Sequence, residues 1–197
     1  MYTWGYIKDA SLAKMDLEQE EANEMKLVNR FIFYANEVIT QVSSAIKPKR
    51  AFYEINVNDD NVGTLITIDD VNFISFSDDM STVETIDDYG NVITAECTNE
   101  NLSYKGYNQV VCYKKGIYHI AYNSRWYTFS NSTDDNFVLP IPTDILECIP
   151  SYIASQCYKI DDEYKASVYR NEYELFLARI DNTDFKTSTT FTIREDW

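Results

Sequence analysis

The period of the hydrophobic pattern changes twice along this chain, and that change constrains the fold more than any other feature. Before residue 49, apolar residues recur at steps of three and four, the spacing of one helix face. From about residue 51 to 140 they alternate with polar residues, as in strands. The helical spacing then returns. This order predicts an α+β fold: a helical core built from both chain ends, with an antiparallel β-lobe inserted between them in sequence.

The first region, residues 1–49, is predicted to hold an arm or short helix over residues 1–14, followed by one long helix. Asp16 is the expected N-cap, acidic residues fill the first turn, and Lys47 and Pro48 mark the end. One apolar stripe follows this helix: Met25, Val28, Ile32, Ala35, Val38, Ile39, Val42 and Ile46. About 30 residues would span roughly 45 Å. Because a single small core cannot cover that length, part of the helix is expected to pack on a neighbour.

The inserted β-lobe, residues 51–140, is predicted to contain six to eight short strands. Alternating runs lie at 52–57, 65–68, 73–76, 110–113, 117–122 and 126–129. Clusters of Asn, Asp and Gly separate these runs, as expected of turns. Lys115 and Gly116 lie between two strong runs and predict a hairpin there.

Residues 141–183 are predicted to return to helix and to pack on the N-terminal helix. Because proline is favoured in a first helical turn, one helix is expected from about Pro150 to Tyr158, after a short turn capped by Thr143 or Asp144. Asp161 would cap a second helix, from Asp162 to about Ile180, with Asn182 ending it. Its expected apolar stripe is Ala166, Tyr169, Tyr173, Phe176, Leu177 and Ile180. Residues 184–197 alternate like a strand and are predicted to form an extended arm that pairs with another chain.

The charge balance limits the partners of this chain. With 32 acidic and 17 basic residues, its net charge is −15. A general nucleic-acid binder needs Lys and Arg against phosphates, and an anionic membrane would repel this charge. Simple solubility explains the acidity, and a wall past which DNA slides without sticking is compatible with it. No apolar run reaches the ~20 residues of a bilayer span, and the N-terminus lacks a signal-peptide pattern, so a cytoplasmic origin is expected.

Residues able to support chemistry are few, and the sequence predicts neither an enzyme nor a cofactor or metal site. His119, the one histidine, lies within a predicted strand with no ligand spacing around it. Six pairs of adjacent aspartates could in principle hydrolyse a sugar bond or hold calcium, but their spacing favours turns. The pairs begin at Asp59, Asp69, Asp78, Asp87, Asp134 and Asp161. The four cysteines are expected to be reduced, and whether Cys97 and Cys112 face each other stays open.

Two stretches resemble the head–tail connector (adaptor) proteins of tailed bacteriophages. One is Leu139–Glu174, where a Pro-led helix, a short acidic break and a second helix rich in Tyr and Glu follow a β-insertion. The other is Asn29–Asn36, which is similar to part of the opening helices of that family. The resemblance covers roughly half of the chain. A β-insertion of this size is larger than a minimal adaptor needs, which leaves the position in the virion open.

The resemblance implies a non-enzymatic virion protein, made in the host bacterial cytoplasm, that forms a ring in the phage neck. The ring, commonly of twelve copies, would bind the portal protein and other neck or tail proteins, and DNA would pass through its lumen without specific binding. Apolar residues of the two arms are the expected subunit contacts: Tyr2, Trp4, Tyr6, Phe185, Phe191, Ile193 and Trp197. Two alternatives stay open. One is a tail or baseplate component whose aromatic β-lobe binds a host surface or glycan, and the other is a carboxylate-based cell-wall hydrolase.

Overall fold

The structure, a computed structural model, describes residues 2–24, 26–77 and 81–187. The chain divides into two compact units. The helical unit combines residues 1–47 with residues 127–197, and the β unit is Pro48–Trp126. The described residues form five helices and eight strands, and every strand pairing is antiparallel. The predicted α+β class is confirmed.

One buried helix, α4, organises the helical unit. The helices are α1 (Trp4–Met15), α2 (Gln19–Glu24), α3 (Val28–Ala45), α4 (Thr143–Tyr158) and α5 (Glu163–Thr187). Helix α4 contacts α1, α3 and α5, so it is covered by helices from both ends of the chain. Its side chains from Ile145 to Ser155 are buried with the exception of Glu147. Such all-round burial is the mark of a core helix.

The prediction of one long N-terminal helix is wrong, because the chain breaks twice. Asp16 adopts a left-handed backbone conformation, with φ of 55°, and ends α1 instead of starting a helix. The N–H groups of Asp16 and Leu17 donate hydrogen bonds to carbonyls in the last turn of α1. Such bonds commonly end a helix at its C-terminus. Lys26 has φ of 56° and forms the second break. Helix α3 therefore has only 18 residues, and its length does not require a neighbouring chain to cover it.

Helix α4 begins seven residues before the predicted start at Pro150. Pro142 occupies the N-cap position, and its carbonyl accepts hydrogen bonds from the N–H groups of Ile145 and Leu146, each at 3.1 Å. Pro150 thus lies inside the helix and has no N–H to offer the carbonyl of Leu146. Burial of nearly every side chain around it outweighs that local cost. Tertiary packing therefore decides where this helix starts. The preference of proline for a first helical turn does not predict it.

Helix α5 begins one residue later and ends seven residues later than expected. Asp162, not Asp161, caps it, because its carboxylate accepts a hydrogen bond from Lys165 N–H at 3.0 Å. The helix continues through Asn182 to Thr187, so residues 184–187 of the predicted extended arm are helical. Residues 188–197, the remainder of that arm, lie outside the described residues.

Two antiparallel sheets form the β unit. The strands are β1 (Lys49–Val57), β2 (Leu65–Thr67), β3 (Phe73–Phe76), β4 (Thr82–Ile86), β5 (Val92–Glu96), β6 (Leu102–Lys105), β7 (Gln109–Cys112) and β8 (Gly116–Ser124). One sheet has the order β1-β8-β4-β5, with β3 also paired to β8, and the other has the order β2-β7-β6. Side chains from both sheets share one core: Ile55, Val57, Ile68, Phe73, Val83, Leu102, Val110, Cys112, Tyr118, Ile120 and Tyr122.

Strand β8 is the centre of the larger sheet, and one of its edges is divided between two partners. It pairs along its full length with β1, while β4 and β3 share its other edge. Where the two partners meet, Ser77 N–H donates to the carbonyl of Ala121 at 3.0 Å. Ala121 N–H then donates to the Ser81 hydroxyl at 2.9 Å. A serine side chain therefore takes the place of a strand carbonyl at this junction.

The predicted hairpin at Lys115 and Gly116 is wrong, because β7 and β8 belong to different sheets. Gly116 is needed for another reason. Its φ is +150°, and a Cβ atom there would lie 2.5 Å from the carbonyl oxygen of Glu84. The glycine thus allows β4 to approach β8 closely, which is a common use of glycine in a strand.

Residues 126–129 were predicted as a strand but have no strand pairing. The Asn36 side chain satisfies the backbone of Phe129 instead: its amide donates to the carbonyl at 2.9 Å, and its oxygen accepts from the N–H at 2.8 Å. The Phe129 ring packs on Trp4 with centroids 4.7 Å apart. The chain has therefore returned to the helical unit by Tyr127, ahead of the boundary near residue 140 that the sequence suggested.

Candidate assembly surfaces

The inward face of helix α5 is tightly held within the helical unit. Tyr173 is fully buried, and its hydroxyl donates to the Gln41 side chain at 2.8 Å. Its ring lies 4.8 Å from that of Tyr152, and the Arg170 guanidinium lies over both rings. Burial raises the pKa of Tyr173 above its usual value. The phenol therefore stays neutral, and these contacts fix the orientation of α5.

The outward face of α5 carries a second apolar stripe. Tyr164, Val168 and Leu175 are 78%, 45% and 64% exposed. Residues four and seven positions apart lie on the same side of a helix. At 100° per residue, this stripe lies roughly opposite the buried Tyr173, Leu177 and Ile180. A helix with apolar residues on two opposite sides is typical of one covered on both sides.

The apolar spacing in the sequence predicted only the inward stripe of α5. The outward stripe follows the same helical spacing, but it consists of only three apolar residues among charged ones. The sequence does not distinguish it unless the buried side chains are known. Salt bridges flank the helix: Lys14 Nζ lies 2.8 Å from Glu172 Oε1, and Arg170 pairs with Glu174 one turn along. The outward stripe is therefore an apolar strip in a charged surface, as in a protein–protein contact.

A second exposed element is the hairpin formed by β4 and β5. Its turn is organised by Asp87, whose carboxylate accepts hydrogen bonds from the N–H groups of Tyr89 and Asn91 at 2.9 and 2.8 Å. These bonds hold the pKa of Asp87 below its usual value. Every residue of β5 is exposed. Beside the hairpin, Ile86, Val92 and Ile117 contribute to a shallow groove of about 460 Å³.

The predicted interface residues fall in different environments. Trp4 is 3% exposed and lies in the core of its own unit, whereas Tyr6 is 51% exposed. Tyr2 is half-buried and donates a hydrogen bond to Glu147 at 3.1 Å. Phe185 lies in α5, in a part where side chains are not described. Phe191, Ile193 and Trp197 lie outside the described residues, so the arms' role at subunit contacts stays a prediction.

In four of the five aspartate pairs that the structure describes, one carboxylate serves a turn or a cap, as predicted; in the fifth, Asp59 forms an ion pair with Lys115 at 2.6 Å. Asp70 accepts a hydrogen bond from Asn72 N–H at 2.8 Å, and Asp134 accepts one from Asn136 N–H at 2.7 Å. Asp87 holds its hairpin turn, and Asp162 caps α5. Each carboxylate thus bonds the backbone next to it, the local role that favours Asp in turns. The pair at residues 78 and 79 lies outside the described residues.

His119 lies on β8, where its Nε2 atom is 3.5 Å from Glu84 on β4, and Glu54 is its register partner on β1. Within residues 2–24, 26–77 and 81–187, no group of three or more His, Cys, Asp or Glu residues could hold a metal ion. Cys97 and Cys112 are free thiols, and burial raises their pKa values to about 11 and about 12. Such thiols are protonated at neutral pH and poor nucleophiles.

Among the described helices, none is both long enough and apolar enough to cross a membrane.

Comparisons with known proteins give little. No family model and no curated protein matches the sequence. Among solved structures, the chain is similar to one from the "Neck of empty GTA particle computed with C6 symmetry". The two share 11% sequence identity with a TM-score of 0.27, over 71% of this chain and 69% of that chain.

Proposed function

We propose that this chain is a structural virion protein that assembles into a ring in the neck of a tailed phage. The observation that carries the proposal is the outward apolar stripe of α5. That stripe lies on a helix held rigidly by its inward face, so it can be presented to another subunit in one orientation. Burial of three such side chains favours association, because each apolar side chain removed from water contributes roughly 1.5–3 kcal/mol.

The resemblance of Leu139–Glu174 to head–tail connector proteins supports a position in the neck. In that arrangement the ring joins the portal to the tail and surrounds the DNA channel. A net charge of −15 suits this role, because an acidic wall repels the phosphate backbone and lets DNA pass. The protein then works through its contacts and not through catalysis.

The oligomeric state tests this proposal. Mass photometry of the chain, alone and with a portal protein, is expected to show a closed oligomer or one that forms on the portal. Replacing Tyr164, Val168 and Leu175 together with serine should weaken association roughly tenfold or more. Val71→Ser is the matched control, because Val71 is an exposed apolar residue of the β unit. A parent chain that stays monomeric with and without portal would refute the proposal.

A second candidate function rests on the hairpin tip, where Tyr89 is almost fully exposed. An exposed aromatic ring can stack on a sugar, so a tail or baseplate component that binds a host glycan is the competing proposal. A glycan array probed with the intact chain separates the two. Binding that Tyr89→Ala abolishes would favour the host-surface role, whereas the neck role predicts no binding to any glycan.

A further inference from the structure

Strand β5 is an open sheet edge with a regular row of available backbone groups. It pairs with β4 only, among the described strands. One hydrogen bond lies at each end of the hairpin. Cys97 N–H donates to the Ser81 carbonyl at 2.8 Å, and Asp87 N–H donates to the Asn91 carbonyl at 2.9 Å. In an antiparallel pair, hydrogen-bonded and non-hydrogen-bonded positions alternate. Val92, Thr94 and Glu96 therefore direct their N–H and C=O groups away from β4.

The side chains of β5 leave this edge unprotected. Proteins commonly blunt an exposed edge with lysine, proline or a bulge. The sequence of β5, Val-Ile-Thr-Ala-Glu, contains neither residue, and its register with β4 is unbroken. Val92 and Ile93 are also 67% and 47% exposed. An edge with these features is suited to receive an added strand.

The chain itself contains a segment suited to this edge. Residues 190–194, Thr-Phe-Thr-Ile-Arg, alternate over the same five-residue length as β5. Threonine, phenylalanine and isoleucine all favour strands. The segment lies only three to seven residues beyond Thr187, where helix α5 ends.

The apolar side-chain pattern is compatible with both strand directions. If Thr192 lies opposite Thr94, the apolar Phe191 and Ile193 fall beside Ile93 and Ala95. In a parallel arrangement Arg194 then comes opposite Glu96. In an antiparallel arrangement it comes beside the hairpin turn with its two aspartates, Asp87 and Asp88. One basic residue therefore meets acidic groups either way.

We infer that residues 190–194 of one copy add as a strand to the β5 edge of a neighbouring copy. This inference rests on the proposed homo-oligomer and names one of its contacts. The donor segment and the acceptor edge are different surfaces, so the contact is heterologous, and repetition of such a contact closes into a ring when the rotation between copies allows it. The backbone hydrogen bonds supply affinity, and the apolar pairs fix the register.

Cysteine cross-linking between two variants tests the contact. Copies carrying Thr94→Cys are mixed with copies carrying Thr192→Cys under mild oxidation. A cross-linked dimer is expected in the mixture, several-fold above either variant alone and above the parent chain with its native cysteines. Val71→Cys, an exposed position in the same unit, replaces Thr94→Cys in the matched control. Equal cross-linking at residues 71 and 94, or none at 94, overturns the inference.

Proline substitution in the donor segment gives an independent test that leaves the β unit intact. Thr192→Pro should weaken self-association roughly tenfold, because proline lacks the N–H and fits poorly in a paired strand. Thr192→Val, which keeps the strand preference, should assemble like the parent. An oligomer that survives Thr192→Pro unchanged overturns this contact and leaves the ring proposal standing. A parent chain that forms open dimers or open chains instead of a closed ring, and still cross-links between residues 94 and 192, overturns the ring and keeps the contact.

Discussion

In the helical unit a single helix, α4, is enclosed by three others, whereas in the β unit two sheets contribute to a shared core. The helical unit draws its parts from both chain ends, and the β unit is one continuous segment. The surfaces proposed for assembly differ as well. In the helical unit the surface is a stripe of exposed apolar side chains on α5, and in the β unit it is the backbone edge of the exposed strand β5.

This difference predicts how the stability of each unit responds to substitutions. The stability of the helical unit depends on apolar packing around one element, so loss of volume in α4 affects contacts to α1, α3 and α5 together. In the β unit, strand positions depend on single contacts. The Ser81 hydroxyl accepts a backbone hydrogen bond, and Gly116 leaves room for the neighbouring strand. Four substitutions test this contrast, in order of decreasing expected effect.

Ile149→Ala should give the largest loss of stability. Ile149 is fully buried in α4, and a cavity of that kind costs about 3 kcal/mol. Urea unfolding followed by circular dichroism at 222 nm measures it. Ile160→Ala, at a position that is 87% exposed just after α4, is the matched control and should change stability by less than about 0.5 kcal/mol. Equal effects of the two substitutions would contradict the central role of α4.

Gly116→Ala should destabilise the β unit by roughly 2 kcal/mol. The added Cβ would lie 2.5 Å from the Glu84 carbonyl oxygen and 3.0 Å from Val83 Cγ2. Gly63→Ala is the control, because Gly63 has φ of +74° but no atom within 4 Å of the new Cβ. It should cost about 1 kcal/mol from backbone conformation alone. If both variants unfold at the same denaturant concentration, close strand approach is not the reason for Gly116.

Asn36→Ala tests a polar contact within the helical unit. It removes the side chain that bonds both backbone groups of Phe129, and leaving them without a partner should cost about 1–2 kcal/mol. Asn29→Ala, at an exposed position of the same helix, should have almost no effect. Hydrogen exchange at the Phe129 amide should rise in the first variant only. An unchanged exchange rate would show that another group can replace Asn36.

Asp70→Asn should have the smallest effect, one that is present at neutral pH and disappears in acid. Burial alone would raise the pKa of Asp70, but hydrogen bonds from Tyr122, Asn72 and Ser124 outweigh it and lower that pKa. A lowered pKa in the folded state stabilises the fold above about pH 4, the unfolded value, and this contribution is lost as pH falls through the folded value.

Thermal unfolding between pH 7 and pH 2 should therefore show a shallower acid loss in Asp70→Asn than in the parent chain. The expected difference is below about 1 kcal/mol. Asp88→Asn, in an exposed hairpin turn, serves as the control. An equal shift in both variants would assign the acid response to overall charge and not to the Asp70 hydrogen bonds.

The fold class and most elements of the β unit could be predicted from sequence, because alternation and turn residues are local signals. Strands β1, β3 and β8 lie close to where the pattern indicates. The pairing of strands is a long-range property, so the hairpin at residue 116 was predicted wrongly. Likewise, the helix breaks at Asp16 and Lys26 arise from backbone conformations that these residue types adopt only rarely.

The candidate surfaces were harder to predict, because exposure is known only once the core is known. Tyr164, Val168 and Leu175 have the same residue types as the buried stripe of α5 and differ only in the direction they face. The strand-like character of residues 190–194 was visible in sequence, but its possible acceptor was not, since β5 was not predicted. Trp4, expected at a subunit contact, is a core residue, because apolar character alone does not separate the two roles.

The division of the helical unit between the two chain ends has a consequence for synthesis. When the ribosome has produced residue 126, every strand of the β unit is present, so that unit can fold early. Helices α1 and α3 must wait until residue 158, because α4 provides the surface they pack on. Their apolar stripes stay uncovered for about a hundred residues of translation, and such nascent segments are the kind that chaperones bind. The early-folding lobe shortens the effective loop that separates them from α4.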